Sequence, residues 1–385
     1  MIARLAVATG TRAEYGIFRP LLREFQARGW PFDLYVTGSH LAPQHGQTVS
    51  EIEADGFDIT ERVDIDLAED TPTGISRSMA LAVERFGELL DRRRPDLLFL
   101  LGDRFEAFAI AAAAQVAGVP VAHLHGGEVT EGVIDEAFRH AITKMSRLHF
   151  VSTAEHRRRV IQLGEAPDTV FNVGALGLDN IRSLEIVPKE ALERDLGFIF
   201  RDTNLLVTHH PLTLDLDRSG QDFAALLQAL EHFPEAGILI TAPNADPGGS
   251  RIGEMIEAFA AAQADRVKVF ASLGTLRYFS VLRCVDAVIG NSSSGLIEVP
   301  SFGVPTVNIG DRQRGRVAGP SVIHSTADSG AIIAAIAQAV SPAFRAAIAS
   351  ADNPYGDGNT AKRIGEIVAA LTFPISRQKS FHDLP

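Results

Sequence analysis

Two groups of residues have the types and spacing for chemistry. The first is a set of carboxylates close in sequence, Asp103, Glu128, Asp135 and Glu136, with His123 and His125 among them. A carboxyl beside a second carboxylate or an apolar wall has a raised pKa and can serve as an acid. Taken singly, each is equally well read as a helix cap or surface charge, and Glu136 is read as one. The second group is Gly290–Arg316, GNSSSGLIEVPSFGVPTVNIGDRQRGR. An apolar run, Asp286–Ile289, reads as a buried strand before it. Gly290 and Asn291 are turn residues, three serines follow, and Gly295–Val299 reads as a short helix stopped by Pro300. A strand, a small-residue turn and a helix start make an anion cradle, because backbone N–H groups, the dipole and the hydroxyls of Ser292 and Ser293 all favour phosphate. Glu298 would repel a phosphate it touched, so it suits sugar hydroxyls, and Arg312, Arg314 and Arg316 can balance a diphosphate. An ordinary strand–turn–helix with serine caps would carry many of the same residues.

Other chemistries find no support. No Gly-x-Gly-x-x-Gly follows the first apolar run, and there is no Gly-Lys-Ser/Thr loop and no Gly-x-Ser-x-Gly elbow. The Cys and His spacings give no zinc site. His123, His125 and Glu128 would hold a metal only if one strand ran through both histidines, so no metal or other cofactor is expected. Cys284 lies in an apolar run and reads as core. A basic run, Arg157–Arg159, reads as a solvated face.

The elements that must position these groups alternate. Strands are expected at Leu5–Thr9, Phe32–Thr37, Asp96–Leu101, Val119–His123, Leu148–Val151 and Val170–Val173, separated by helices that include Ser76–Arg92, Phe105–Ala117 and Glu136–Met145. A weaker stretch, about Leu178 to Arg201, reads as a linker. A second series has strands at Asn204–Thr208, Gly237–Thr241, Val267–Phe270 and Asp286–Ile289, then Val304–Asn308. Two such series imply an α/β protein of two Rossmann-like, doubly wound domains, expected at residues 1–177 and 190–358, the helix at 359–373 rejoining the first. Ligands bind outside the carboxyl ends of such strands, which predicts a site in a central cleft faced by both domains. Arg12, Asp103, Arg104, His210 and the serines all fall at predicted strand ends. So does Asn244, which is counted with the nucleotide-binding residues.

The chain has 385 residues, 46% of them hydrophobic, which suffices for two cores. A net charge of −12 argues against nucleic-acid or anionic-membrane partners. One cysteine, no signal-peptide pattern and no run of the ~20 apolar residues a bilayer demands lead to a cytoplasmic expectation.

Several of these motifs together resemble a known family. Gly10-Thr-Arg-Ala-Glu-Tyr-Gly16, Gly102-Asp-Arg-Phe-Glu106, His123-Leu-His-Gly-Gly-Glu128, Asp135-Glu-Ala-Phe-Arg-His-Ala-Ile-Thr-Lys144, His210-Pro211 and Gly290–Arg316 are similar, in order, to the hydrolysing UDP-N-acetylglucosamine 2-epimerases, in their bacterial sialic-acid and legionaminic-acid branch. The resemblance implies a glycosyltransferase-B-like fold and conversion of UDP-N-acetylglucosamine and water to N-acetylmannosamine and UDP. UDP is eliminated across C1–C2 to give a 2-acetamidoglucal, and water then adds with inversion at C2. It implies no cofactor, a UDP-sugar as substrate and a homodimer or homotetramer. Asp103 and Asp135 are implied as catalytic carboxylates and Arg104 as a sugar or phosphate contact. Arg12, His210, Ser292, Ser293, Glu298 and Arg312 are implied as nucleotide ligands, Glu298 on the ribose. The animal enzymes have a glutamate where this chain has His125, so the third acid–base role falls to His125 or to Glu128. The same branch includes enzymes acting on UDP-N,N′-diacetylbacillosamine, with the loop at 129–133 expected to face the sugar. Readings of another class are a glycosyltransferase and a sugar-nucleotide-binding protein without turnover.

Overall fold

A computed structural model describes residues 3–42, 47–69, 71–130, 134–210, 216–242 and 249–384. It divides into two compact units, Met1–Asn180 with Tyr355–Pro385, and Ile181–Pro354.

The first unit holds β1 (Leu5–Thr9), β2 (Phe32–Thr37), β3 (Glu61–Val63), β4 (Leu97–Leu101), β5 (Val121–Leu124), β6 (Leu148–Val151) and β7 (Val170–Asn172), in the order β3-β2-β1-β4-β5-β6-β7. Neighbouring strands run parallel, Leu5 opposite both Phe32 and Leu97. β4, Leu-Leu-Phe-Leu-Leu, is buried throughout, as a central parallel strand must be when helices cover both faces. Alternate residues feed opposite cores. Leu97, Phe99 and Leu101 join Phe18, Phe25 and Ile364, while Leu98 and Leu100 join Phe86, Leu90 and Ile110. Each such side chain contributes about 1.5–3 kcal/mol by leaving water. Five buried alanines among the seven in the helix Phe105–Ala117 let it lie close against the helix Pro72–Arg93, and Gly118, at φ 66°, ends it.

The second unit repeats the plan with β8 (Asn204–Thr208), β9 (Gly237–Thr241), β10 (Val267–Phe270), β11 (Ala287–Gly290), β12 (Thr306–Ile309) and β13 (Val322–Ser325), in the order β10-β9-β8-β11-β12-β13. In each sheet the winding reverses once, between β1 and β4 and between β8 and β11. Those reversals open a crevice at the carboxyl ends of the strands.

The last residues return to the first unit. Asp179 accepts the backbone N–H groups of Thr360 (3.0 Å) and Ala361 (2.7 Å), capping the helix Thr360–Ala370 from a distant segment. Further on, the Lys379 ammonium donates to the carbonyls of Lys144 (2.8 Å) and Ser146 (2.7 Å), closing the C-terminal end of the helix Asp135–Met145. It also meets Glu165 at 2.6 Å. Glu165 is 1% exposed; burial raises its carboxyl, but hydrogen bonds from His149, Lys144 and Lys379 outweigh that and hold it down at about 2, from 4.5. A depressed carboxyl stabilises the fold above its unfolded value and loses that contribution as pH falls through its folded one. Wild type should therefore exceed Glu165→Gln by about 3 kcal/mol at neutral pH. Urea midpoints should show the gap closing between pH 4.5 and about 2.

Among the described residues no single helix is long and apolar enough to cross a membrane.

Candidate active site

In the first unit the polar groups gather where β4 and β5 end. β4 runs out at Gly102, whose φ of 77° turns the chain and brings Asp103 forward. His123, fully buried on β5, fixes that turn by donating from Nε2 to the Gly102 carbonyl at 2.7 Å. Burial lowers its pKa to about 3, so it stays neutral.

Arg139 is the hub of the group. It is 3% exposed and donates to Asp103 Oδ2, to Glu136 Oε2 (2.6 Å), to the Glu128 carbonyl (3.0 Å) and to Thr130 Oγ1 (3.1 Å). Glu136 in turn accepts the Thr130 N–H at 2.7 Å, so one guanidinium and one carboxylate pin the loop start to the helix. Glu136 is thus more than the cap or surface charge expected, because its helix faces this loop. Asp135 opens the same helix, four residues before Arg139 and so on the same side. Burial raises its carboxyl, and the charge of Asp103 raises it further against the pull of Arg104.

His125 and Glu128 adjoin this hub. β5 ends at Leu124, and His125 then adopts φ 64°, which breaks the strand alternation a metal site with His123 would need. His125 Nδ1 lies 2.8 Å from Glu128 Oε1. Among the described residues no three His, Cys, Asp or Glu side chains are gathered as a metal would need.

At the reversal beside β1, Glu14 accepts the Gly10 N–H at 2.7 Å. Burial, with the Glu106 charge next, pushes its carboxyl up to about 7. Arg104 is held by Glu106 through two contacts of 3.2 Å. Arg12 begins the helix Arg12–Ala27, with its side chain 71% exposed and paired to Glu51 at 2.8 Å.

In the second unit Asn291 ties the reversal together. Its Oδ1 accepts the His210 N–H at 2.7 Å, and its Nδ2 donates to the His210 carbonyl at 2.9 Å. Its own carbonyl accepts from Arg312 Nη1 (3.1 Å) and Gln313 Nε2 (2.8 Å). Gly290 makes this approach possible, since a Cβ there would stand 1.9 Å from the Thr208 carbonyl oxygen. Ser292 and Ser293 follow, half-buried, and Ser294 Oγ pairs with the Tyr278 hydroxyl at 2.7 Å. The helix expected at Gly295–Val299 is one turn, Ser294–Ile297, continued by a 3-10 turn Val299–Phe302, because Pro300 removes the next donor. So short a helix has little macrodipole, and an anion cradle here would rest on turn amides and hydroxyls. Glu298 joins the two turns; its charge adds to burial in raising the Tyr278 phenol. Asn244 lies outside the described residues, as do 131–133 of the loop expected to face the sugar.

A sequence model for the UDP-N-acetylglucosamine 2-epimerase family matches residues 23–369. The chain belongs to that family. Among its relatives in this UDP-N-acetylglucosamine 2-epimerase family, it is 38% identical to the polysialic acid biosynthesis protein P7 of Escherichia coli, over 99% of this chain and 98% of that one. It is 37% identical to the GDP/UDP-N,N′-diacetylbacillosamine 2-epimerase (hydrolyzing) of Campylobacter jejuni, over 84% of each. In fold it is similar to the UDP-GlcNAc 2-epimerase of Neisseria meningitidis solved with UDP-GlcNAc, with a TM-score of 0.76, 19% identity, 95% of this chain and 99% of that one. The architecture of this 2-epimerase-family chain is glycosyltransferase-B-like: two Rossmann-like units.

The geometry adds residues to which sequence reading assigns no role. Arg139 sits inside a quoted motif, and its i,i+4 spacing from Asp135 was the available signal. Glu14, Asn291 and Gln313 also sit inside quoted motifs, Asn291 as a turn residue, but nothing in their types or spacing pointed to these contacts. Arg157–Arg159 is a correction. Arg157 donates to the carbonyls of Val170 (3.0 Å) and Pro167 (2.8 Å), and Arg159 to that of Gly127, so Arg157 fastens the approach to β7, Arg159 holds the glycine turn before Glu128, and only Arg158 is exposed as expected.

Proposed function

We propose that this protein is a hydrolysing UDP-sugar 2-epimerase that converts UDP-N-acetylglucosamine and water to N-acetylmannosamine and UDP. The observation that carries the reading is the grouping of Asp103 and the raised carboxyl of Asp135 around a buried arginine at strand ends. The likeness to a relative named as a hydrolysing 2-epimerase supports it. The reaction has two halves. A base takes the proton from C2 as the C1–O bond to UDP breaks, and the electron pair forms the C1–C2 double bond. A proton then returns to C2 from the other face while a water oxygen bonds to C1. Asp103 and Asp135 supply proton transfer in this scheme, with either His125 or Glu128 as a third group. Arg104 contacts the sugar or a phosphate. Arg12, His210, Asn244, Ser292, Ser293 and Arg312 hold the nucleotide, and Glu298 accepts from the ribose hydroxyls.

Conversion of UDP-N,N′-diacetylbacillosamine by the same chemistry is a second reading, favoured by the name of the Campylobacter relative. Incubation with each UDP-sugar in heavy-oxygen water, followed by NMR, tests both. Release of a 2-epimeric free sugar labelled at C1 is expected. Return of an epimeric UDP-sugar without label would mean a non-hydrolysing enzyme, and a demand for an acceptor would mean a transferase. The resemblance further implies a homodimer or homotetramer in the cytoplasm, which sedimentation and cell fractionation would test.

Glu298→Ala should weaken UDP binding by about 1–3 kcal/mol, the cost of charged hydrogen bonds lost. Calorimetric titration with UDP checks this, and an unchanged affinity removes Glu298 from the ribose.

A further inference from the structure

Three independent features single out His125. Its φ of 64° is one that residues other than glycine rarely hold, and such backbone clusters at functional sites. Its Nδ1 is 2.8 Å from Glu128 Oε1. Its Nε2 is buried and has no hydrogen-bond partner among the described residues. The surrounding contacts fix where the protons lie. Ser152 has one hydroxyl proton and donates it to Glu128 Oε1 at 3.0 Å. His156 Nδ1, 2.9 Å from Ser152 Oγ, must then be the donor to that oxygen. Burial lowers the pKa of His156 to about 4, so it serves as a neutral donor. Glu128 Oε1 therefore accepts from two sides, and the hydrogen of a neutral His125 belongs on Nδ1. That leaves a bare lone pair on Nε2, next to a carboxylate able to hold the imidazolium that would form.

We propose that His125 Nε2 is the base that takes the C2 proton of the sugar, and that Glu128, steadied by Ser152 and His156, is its positioning residue. This rests on the hydrolysing 2-epimerase reading above and decides between the two candidates left open there. The C2–H electron pair becomes the C1–C2 double bond, the C1–O pair departs on UDP, and the proton goes to Nε2. Glu128 sets the tautomer before the step and balances the charge after it.

The test uses the full-length protein with its UDP-sugar. In His125→Gly the left-handed backbone suits the new residue and the side-chain space is vacated. Free-sugar release should fall by about 10²–10⁴-fold, as for loss of a general base, with UDP binding intact. Added imidazole should restore part of it, and the restored rate should slow with substrate deuterated at C2. Should His125→Gly fail to fold, His125→Asn, which also tolerates this backbone, carries the rate measurement. Glu128→Gln should lower kcat by on the order of 10²-fold or more while KM stays within a few-fold, because the amide permits the wrong tautomer. A His125→Gly enzyme within a few-fold of wild type overturns the proposal, as does a folded, UDP-binding variant that imidazole leaves inactive. If wild type itself releases no free sugar, the functional reading falls first and this proposal with it.

Discussion

Asp103→Asn should leave a folded protein that binds UDP as wild type does and releases free sugar about 10²–10⁴-fold more slowly. The asparagine carbonyl can still accept from Arg139, so the hub keeps its geometry. What disappears is a carboxylate able to exchange a proton at the end of β4. The neighbour changes too, since part of the upward push on Asp135 comes from the charge of Asp103. The variant would therefore lose one proton carrier and retune another. Single-turnover rates with a parallel UDP titration separate the outcomes. Turnover within a few-fold of wild type would remove Asp103 from the mechanism, and lost UDP binding would point to a role in holding the ligand.

Arg139→Met should destabilise the fold about as much as Glu165→Gln does, and slow turnover as well. The guanidinium is 4% exposed and faces carboxylates of Asp103 and Glu136, themselves 25% and 28% exposed. Removing one partner of a buried ion pair costs about 3–5 kcal/mol, because the abandoned charge stays desolvated. Partial exposure of both carboxylates places this case near the lower end, about 3 kcal/mol. Adding Glu136→Gln should recover part of the loss, since one uncompensated charge is then gone. Arg139→Lys should be less destabilising yet still slow, because an ammonium cannot span acceptors just past β4, in the loop after β5 and on its own helix. Urea midpoints and turnover for the three variants check this. A stability equal to wild type in Arg139→Met would mean the hub contributes little.

The alternation of strands and helices was legible because central parallel strands must be apolar on both faces. Leu97–Leu101, Asn204–Thr208 and Gly237–Thr241 stand out for that reason. Of the four edge strands, β7 and β10 were legible and β3 and β13 were not. Glu61-Arg62-Val63 is short and mostly charged, and Val322–Ser325 is short, half-covered and half polar, so neither carries an apolar run. The helix Pro342–Ile348 did have a signal, Ser341 capping Phe344 N–H at 3.3 Å before a proline at the first position. The position of Asp103 at the end of a strand could be read from sequence. Its partner could not, because the four acceptors around Arg139 come from three separate segments that only folding brings together. The left-handed turn at His125 was equally hidden, since nothing in its neighbours' chemistry demands it.

The return of residues 355–384 to the first unit sets an order of events during synthesis. As the chain leaves the ribosome, its opening 180 residues emerge without the helix that Asp179 caps and without Lys379. The middle of the chain, by contrast, is complete once residue 354 has cleared the exit tunnel. The half made first is therefore the half finished last, and a nascent chain stalled before Thr360 should have a protease-resistant middle and a cleavable beginning.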